Sequence, residues 1–379
     1  MASMPSALSS VELSTHPAPF PRWARPAVQA GFLASAAIVG WQFHRFVASL
    51  VDPSAGVMAD RPASVEAWLP ISSLMSLTYL VKTGVANLVR PAGLVIFSLT
   101  LVLAVAMRRG FCSWVCPIGT LSEYAHKGGR RLLGRNLLMP RWLDVILRSL
   151  KYLILGFFLY AIGFMPAAAL GQFIHGPYNR IVDVKMYLLF ADISWTTVWA
   201  FAALVGLSVL FKNFWCRYLC PYGALLGLLS AASPMSVRRD ADRCLECGQC
   251  GKACPNRIAV HTKRRVRSVE CAACFSCVAA CPRPGALRMA LPAVRAPVTA
   301  LVYGVIVVTA FVLIPQLARS AGYWETDTPA WLYRQLYARI GQIEHPGTPM
   351  MYRTAEPEVS ADPAERADDG ADGQTPGRR

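Results

Sequence analysis

The sequence has no Walker loop, no glycine fingerprint for a dinucleotide and no hydrolytic triad signature. These absences set aside the common nucleotide-dependent and hydrolytic classes. Charge is scarce, at 16% of residues. Histidine is scarcer, with six residues, and although His44, His126 and His175 lie near the ends of apolar stretches, no two share a helix face as a membrane haem pair would. A secretory signal is also missing: residues 1–26 are rich in proline and serine, and the first apolar run begins near Ala27. No cysteine stands alone. All 12 fall into tight ligand-like spacings, so a disulfide framework is not expected.

What is present is apolar. Hydrophobic residues make up 54% of the 379, with a mean hydropathy of +0.37, which points to a polytopic membrane protein. The net charge of +16 does not indicate nucleic acid, because the arginines lie in loops between apolar runs. Five stretches approach the roughly 20 residues a bilayer requires: 27–43, 91–109, 146–167, 187–211 and 297–316. A sixth, Ile71 to Val89, is interrupted by Lys82, Gly84 and Asn87 and reads as a re-entrant or interfacial helix.

Lysine and arginine set the expected orientation. Segments 107–151 and 212–295 carry nine and 14, whereas 44–90 and 168–186 carry four and two. The bias places the N-terminus and both basic segments in the cytoplasm and the C-terminus outside. The expected fold is thus an α-helical polytopic membrane protein of about five spans, with a small α+β two-cluster ferredoxin domain inserted on the cytoplasmic side. Its parts are a tail over 1–26, a membrane domain over 27–236, the ferredoxin domain over 237–290, a fifth span within 291–316 and an outward acidic tail over 317–379. That tail holds ten acidic and seven basic residues beyond position 316. Tyr323 to Ile343 shows helical spacing suited to packing on the outer face, and the stretch after Glu356 reads as disordered.

Two cysteine runs carry the chemistry. Cys244, Cys247, Cys250 and Cys254 precede Pro255, and Cys271, Cys274, Cys277 and Cys281 precede Pro282. Both are C-x2-C-x2-C-x3-C-P, the bacterial ferredoxin spacing for [4Fe–4S] clusters, in which the fourth cysteine ligates the other cluster. That rule assigns Cys244, Cys247, Cys250 and Cys281 to one cluster and Cys271, Cys274, Cys277 and Cys254 to the other. Gly248, Gly251 and the alanines around Cys274 leave room for backbone amides near the sulfides. A pair of zinc sites is the competing reading, but the doubled pattern is poor zinc grammar.

The other four cysteines form an internal repeat, Cys112-x3-Cys116-Pro117-x-Gly119-x-Leu121 and Cys216-x3-Cys220-Pro221-x-Gly223-x-Leu225. Each pair follows the cytoplasmic end of an apolar stretch and is flanked by aromatics, among them Phe111, Trp114, Trp215, Tyr218 and Tyr222. Four converging thiolates suit an additional iron–sulfur centre, a soft metal such as copper, or a dithiol pair. Buried free cysteine is the plain alternative. On the expected outer side, Arg61, Glu66 and Trp68 form a set suited to a quinone headgroup, or to an interfacial anchor with a surface ion pair. Asp192 reads as a solvated helix-end residue, and the run Lys263-Arg264-Arg265-x-Arg267 as facing lipid headgroups or screening cluster charge.

At Arg61 to Gly84, Phe111 to Glu123, Trp215 to Leu229 and Arg238 to Leu287, the chain resembles the NapH/NosR-type polytopic membrane ferredoxins. With the stretches between them, these segments cover most of residues 27–315, and Gly322 to Gly347 is similar to the outward tail of some relatives. The resemblance implies an inner-membrane electron carrier linking the quinol pool to a periplasmic reductase or to its maturation. It also implies that the paired C-x3-C-P motifs belong to the working core. The chain departs from NosR in lacking a large N-terminal flavin-binding domain, and from four-span NapH in its fifth span. Three functions compete: a redox relay between the quinone pool or a cytoplasmic donor and a respiratory or periplasmic partner, a metallocentre assembly factor, and a membrane anchor with structural clusters.

Overall fold

The computed structural model describes residues 23–51, 58–134, 139–292 and 297–346. Most of the expected N-terminal tail, and the expected disordered stretch after Glu356, lie outside the described residues. The first part is helical, with α1 (Ala24–Val51), α2 (Pro70–Thr83), α3 (Pro91–Met107), α4 (Phe111–Trp114), α5 (Pro117–Leu133), α6 (Arg141–Gly163), α7 (Ala167–His175), α8 (Pro177–Ala191), α9 (Trp195–Leu210) and α10 (Pro221–Leu229). A small module follows, with β1 (Ser236–Arg239), α11 (Gln249–Ala253), β2 (Arg265–Val266), α12 (Ser276–Ala279) and β3 (Leu287–Ala290). The chain then returns through α13 (Ala300–Ser320) and ends in α14 (Ala330–Ala338).

Proline explains many of the helix starts. Pro70, Pro91, Pro117, Pro177 and Pro221 each sit in a first turn, where the missing N–H has no intrahelical partner to lose. Among the described residues, Trp142–Gly163 and Ala300–Ser320 are long and apolar enough to cross a membrane. The expected span 187–211 is not one helix. It breaks after Ala191, where Ser194 caps α9 by accepting the Thr197 amide at 3.3 Å, and the two pieces are bent by 83°. Taken together they make a third candidate crossing. Asp192 sits exposed at this break. Pro91–Met107 is apolar but shorter, and α1 runs beyond the expected 27–43 at both ends. The interrupted stretch begins as α2, which Gly84 ends in a left-handed conformation at φ 73°.

The helices share two ends. At one, Arg25 and Gln29 at the start of α1 reach Glu123 and the Ser113 carbonyl, and Tyr303 in α13 donates to the Met107 carbonyl at 2.9 Å. The ferredoxin module docks here. At the other end, Phe46 and Val47 of α1 pack with Tyr333 and Leu336 of α14, and Trp324 packs on Ala92 at the start of α3. The segment after α13 therefore covers the end opposite the module.

The module's sheet is antiparallel, in the order β2-β1-β3. Val237 pairs with Val266 and Met289, and all three are buried beneath the sheet. Their neighbours Arg238, Arg265 and Arg288 are likewise paired and take the other face, as the period of two requires.

Candidate functional site

The two ferredoxin runs fold alike. Glu246 and Ala273, each two residues past the first cysteine, have φ of 51° and 48°. Gly248 and Phe275, two further on, have φ of 69° and 58°. Left-handed backbone is strained for Phe275, and its repetition at matching positions marks a loop shaped for a purpose. It turns amides toward sulfur: the Glu246 N–H faces Cys244, and the Ala273 N–H faces Cys271.

Each cavity then draws on both runs. One is lined by Cys244, Cys247 and Cys250 with Cys281, the other by Cys271, Cys274 and Cys277 with Cys254. The fourth cysteine of each run thus crosses to the cavity of the other. Among the described residues, no three His, Cys, Asp or Glu side chains stand close enough to hold one metal ion. A cubane spreads its ligands, because each cysteine binds a different iron. Four thiols around an enclosed hollow, with amides turned toward them, fit a [4Fe–4S] cluster better than a lone zinc ion.

The C-x3-C-P repeats converge as well. Cys216 lies within electrostatic range of Cys116, Cys220 and Cys112, so the two pairs are neighbours in the fold. The motif explains itself residue by residue. Cys116 and Cys220 are the N-caps of α5 and α10, and Pro117 and Pro221 start the helices. The Cys220 sulfur accepts the N–H of Gly223, three residues on, at 3.3 Å. Burial raises the Cys116 and Cys220 thiols above their ordinary value, and the amides of the helix terminus offset only part of that rise. Gly119 lies so close to the Cys112 carbonyl that an added Cβ would come within 2.1 Å of its oxygen.

The residues between these cysteines hold the ferredoxin module. Ser113 Oγ donates to the Ala272 carbonyl at 2.6 Å, and the indole of fully buried Trp114 donates to the Ala273 carbonyl at 3.0 Å. Arg217 bridges Asp144 and the Asn256 carbonyl at 2.8 Å each. Beside Cys271, the Glu270 carboxylate accepts from Lys151 at 2.7 Å and Tyr152 at 3.1 Å, and pairs with Arg109 at 3.4 Å. Burial alone would raise this carboxyl, but Arg109 and Lys151 outweigh burial and hold it below its ordinary value. Arg109 also faces Cys112 and Cys216, so it stands between the C-x3-C-P cysteines and the second cavity.

At the opposite end, Arg61 and Glu66 do meet, at 3.0 Å, but not as a surface pair. Glu66 is fully buried and the Arg61 side chain only 6% exposed, with Asp183 2.7 Å from Arg61 and Arg90 3.2 Å from Asp183. Glu66 also accepts the Gly93 amide at 2.8 Å, while Trp68 is 39% exposed and outside the network. Sequence reasoning missed Arg90, Arg109, Asp144, Lys151, Asp183 and Glu270. Charged residues within or beside apolar helices were the available signal.

The 4Fe-4S dicluster domain family matches residues 236–282, and the 4Fe-4S binding domain family matches 89–136 and 193–239, the segments that hold the two C-x3-C-P motifs. The Escherichia coli (strain K12) protein named "Putative electron transport protein YccM" is 38% identical over 326 residues, covering 85% of this chain and 91% of that protein. The chain belongs to the NapH/NosR/YccM-type ferredoxin family. The ferredoxin-type protein NapH of E. coli is 29% identical, over 55% of this chain and 70% of its own. The regulatory protein NosR of Pseudomonas aeruginosa is 28% identical, over 44% of this chain and 23% of its own. No solved structure matches.

Proposed function

We infer that the chain is a membrane-bound iron–sulfur protein that relays electrons between the quinone pool or a soluble donor and a respiratory or periplasmic redox partner. Cys244, Cys247, Cys250 and Cys281 would hold one [4Fe–4S] cluster, and Cys271, Cys274, Cys277 and Cys254 the second. Cys112, Cys116, Cys216 and Cys220 would hold a further centre. Such clusters accept and release single electrons. The observation that carries the reading is adjacency. The C-x3-C-P cysteines are fastened to the second cavity through Ser113, Trp114 and Arg109, and that cavity shares its cysteines' runs with the first. The thiol sets therefore adjoin one after another, from the helices into the module. A structural staple would not require that adjacency, and a metallocentre assembly factor would not require the dicluster module.

The lysine and arginine bias, 23 in the two inner segments against six in the outer, supports a cytoplasmic module and an inner-membrane location. For a quinone headgroup, the Arg61–Glu66 network is already committed to Asp183 and Arg90. A recess of about 620 Å³ lined by His126, Phe211, Lys212, Tyr218, Cys254 and His261 suits a headgroup better, since it borders the second cluster's site. The test is reduction of the iron-loaded protein in nanodiscs by a ubiquinol analogue, followed by electron paramagnetic resonance. Reduced cubane signals are expected. Clusters that no quinol and no low-potential donor can reduce would leave only the structural anchor.

A further inference from the structure

The outer face of the module's sheet is dominated by arginine. Arg238 stands opposite Arg265 on one side and Arg288 on the other, so three guanidinium groups form a row across all three strands. Like charges directly opposite destabilise a sheet, so the row does not serve the fold. Arg239 and Arg264 border the same recess of about 400 Å³, against a single carboxylate, Asp240. That carboxylate already lies 3.6 Å from Arg243. Arg265 is tied to Ser236 and the Pro234 carbonyl at 2.8 and 3.0 Å, while the buried Nε of Arg238 has no hydrogen-bond partner.

The position of this recess gives it a use. Arg239 borders it and also borders the cavity of Cys244, Cys247, Cys250 and Cys281, and its guanidinium lies 3.7 Å from the exposed Glu246 carboxylate. That cavity is lined only by residues of the module, and Cys247 is exposed. The second cavity, by contrast, is fastened to the membrane helices. The positive face therefore adjoins the thiol set nearest solvent.

We propose that this arginine recess is the docking face for a soluble acidic one-electron carrier protein, which exchanges its electron with the cluster held by Cys244, Cys247, Cys250 and Cys281. The inference rests on the electron-transfer reading above and names the partner's chemistry. In the forward step the carrier's reduced cofactor loses one electron and the cluster gains it, with no bond made or broken and no proton required. Complementary charge speeds such encounters and makes them sensitive to salt. Phosphate headgroups could satisfy the same guanidinium groups, but a carrier is favoured because the recess shares Arg239 with a solvent-facing redox site.

The test uses the full chain, iron-loaded in nanodiscs, with reduced flavodoxin as the acidic probe and reduced methyl viologen as a small cationic reductant. Combining Arg238→Gln, Arg264→Gln and Arg288→Gln leaves Arg239 and Arg265 in place. At low ionic strength the flavodoxin rate should fall about 10- to 100-fold and lose most of its salt dependence. The viologen rate and the visible cluster absorbance should not change. Equal flavodoxin rates for wild type and variant, including no reaction with either, would overturn the proposal. So would an unchanged rate accompanied by lost binding to phosphatidylglycerol vesicles, which would assign the recess to lipid. Clusters that even viologen cannot reduce would defeat the electron-transfer reading itself, and the docking proposal with it.

Discussion

The two C-x3-C-P-x-G repeats look equivalent in sequence, yet the structure predicts opposite responses to the same substitution. An alanine Cβ at Gly119 would lie 2.1 Å from the Cys112 carbonyl oxygen and 3.3 Å from its carbon. Both atoms are backbone, and ordinary contact needs about 3.4 Å, so the Cys112 loop must retreat from α5 by more than 1 Å. That movement separates the first cysteine pair. Overpacking of this kind costs about 1–3 kcal/mol. At Gly223 the same Cβ would meet the Cys216 oxygen at 3.6 Å, an ordinary contact. There alanine also removes the helical penalty of glycine, worth up to about 1 kcal/mol. Gly119→Ala should therefore lower the denaturant midpoint and the iron content of the purified protein. Gly223→Ala should match or exceed wild type in both. Equal effects from the two substitutions, or a tolerated alanine at 119, would show that the first loop does not close on the helix as described.

Glu270→Gln should destabilise the docked module by about 3–5 kcal/mol, because it leaves Arg109 and Lys151 buried without their counter-charge. Adding Lys151→Met should recover part of that loss, and strictly additive denaturant midpoints would argue against the coupling. Replacing Cys116 and Cys220 together by serine should abolish electron delivery through the membrane helices while the ferredoxin-type signals persist. Delivery at the wild-type rate would return these thiols to core packing. The Glu123 carboxyl supplies a pH test. Burial would raise it, but Arg25 and Lys127 outweigh burial and hold it below its ordinary value. Since the folded value is depressed, its contribution is full above the unfolded pKa of about 4.3 and is lost as pH falls through the folded value. Thermal melts should show this acid-side loss in wild type and a weaker one in Glu123→Gln.

Local spacing carried much of the site. The ferredoxin runs and each cysteine pair depend on residues within a few positions of one another, and these the sequence displays directly; the crossing of the fourth cysteines follows from the known rule for the doubled run. Helix continuity was harder to read. The stretch 187–211 is apolar enough for one span, but Ser194 supplies a cap in mid-run, and a single side-chain oxygen sufficient to start a new helix leaves little trace in hydropathy. Partners across long sequence separation were hidden altogether. Arg61 and Glu66 read as a quinone-headgroup set or a surface pair because nothing near them announces Asp183, 122 residues from Arg61, or Arg90.

The variable positions of the C-x3-C-P motifs were the least legible, and they alter how the cysteines are understood. By spacing alone, Ser113 and Arg217 are filler between ligands and Trp114 is an interfacial aromatic. In the fold, Ser113 and Trp114 donate to the carbonyls of Ala272 and Ala273, and Arg217 donates to that of Asn256. Those carbonyls lie within two residues of Cys271, Cys274 or Cys254. The loops that present the membrane thiols are therefore the loops that grip the second ferredoxin cavity. A shift in one site must be felt by the other through three short hydrogen bonds, without any moving part between them. That shared grip couples the two kinds of cysteine motif, so disturbing Trp114 should disturb both.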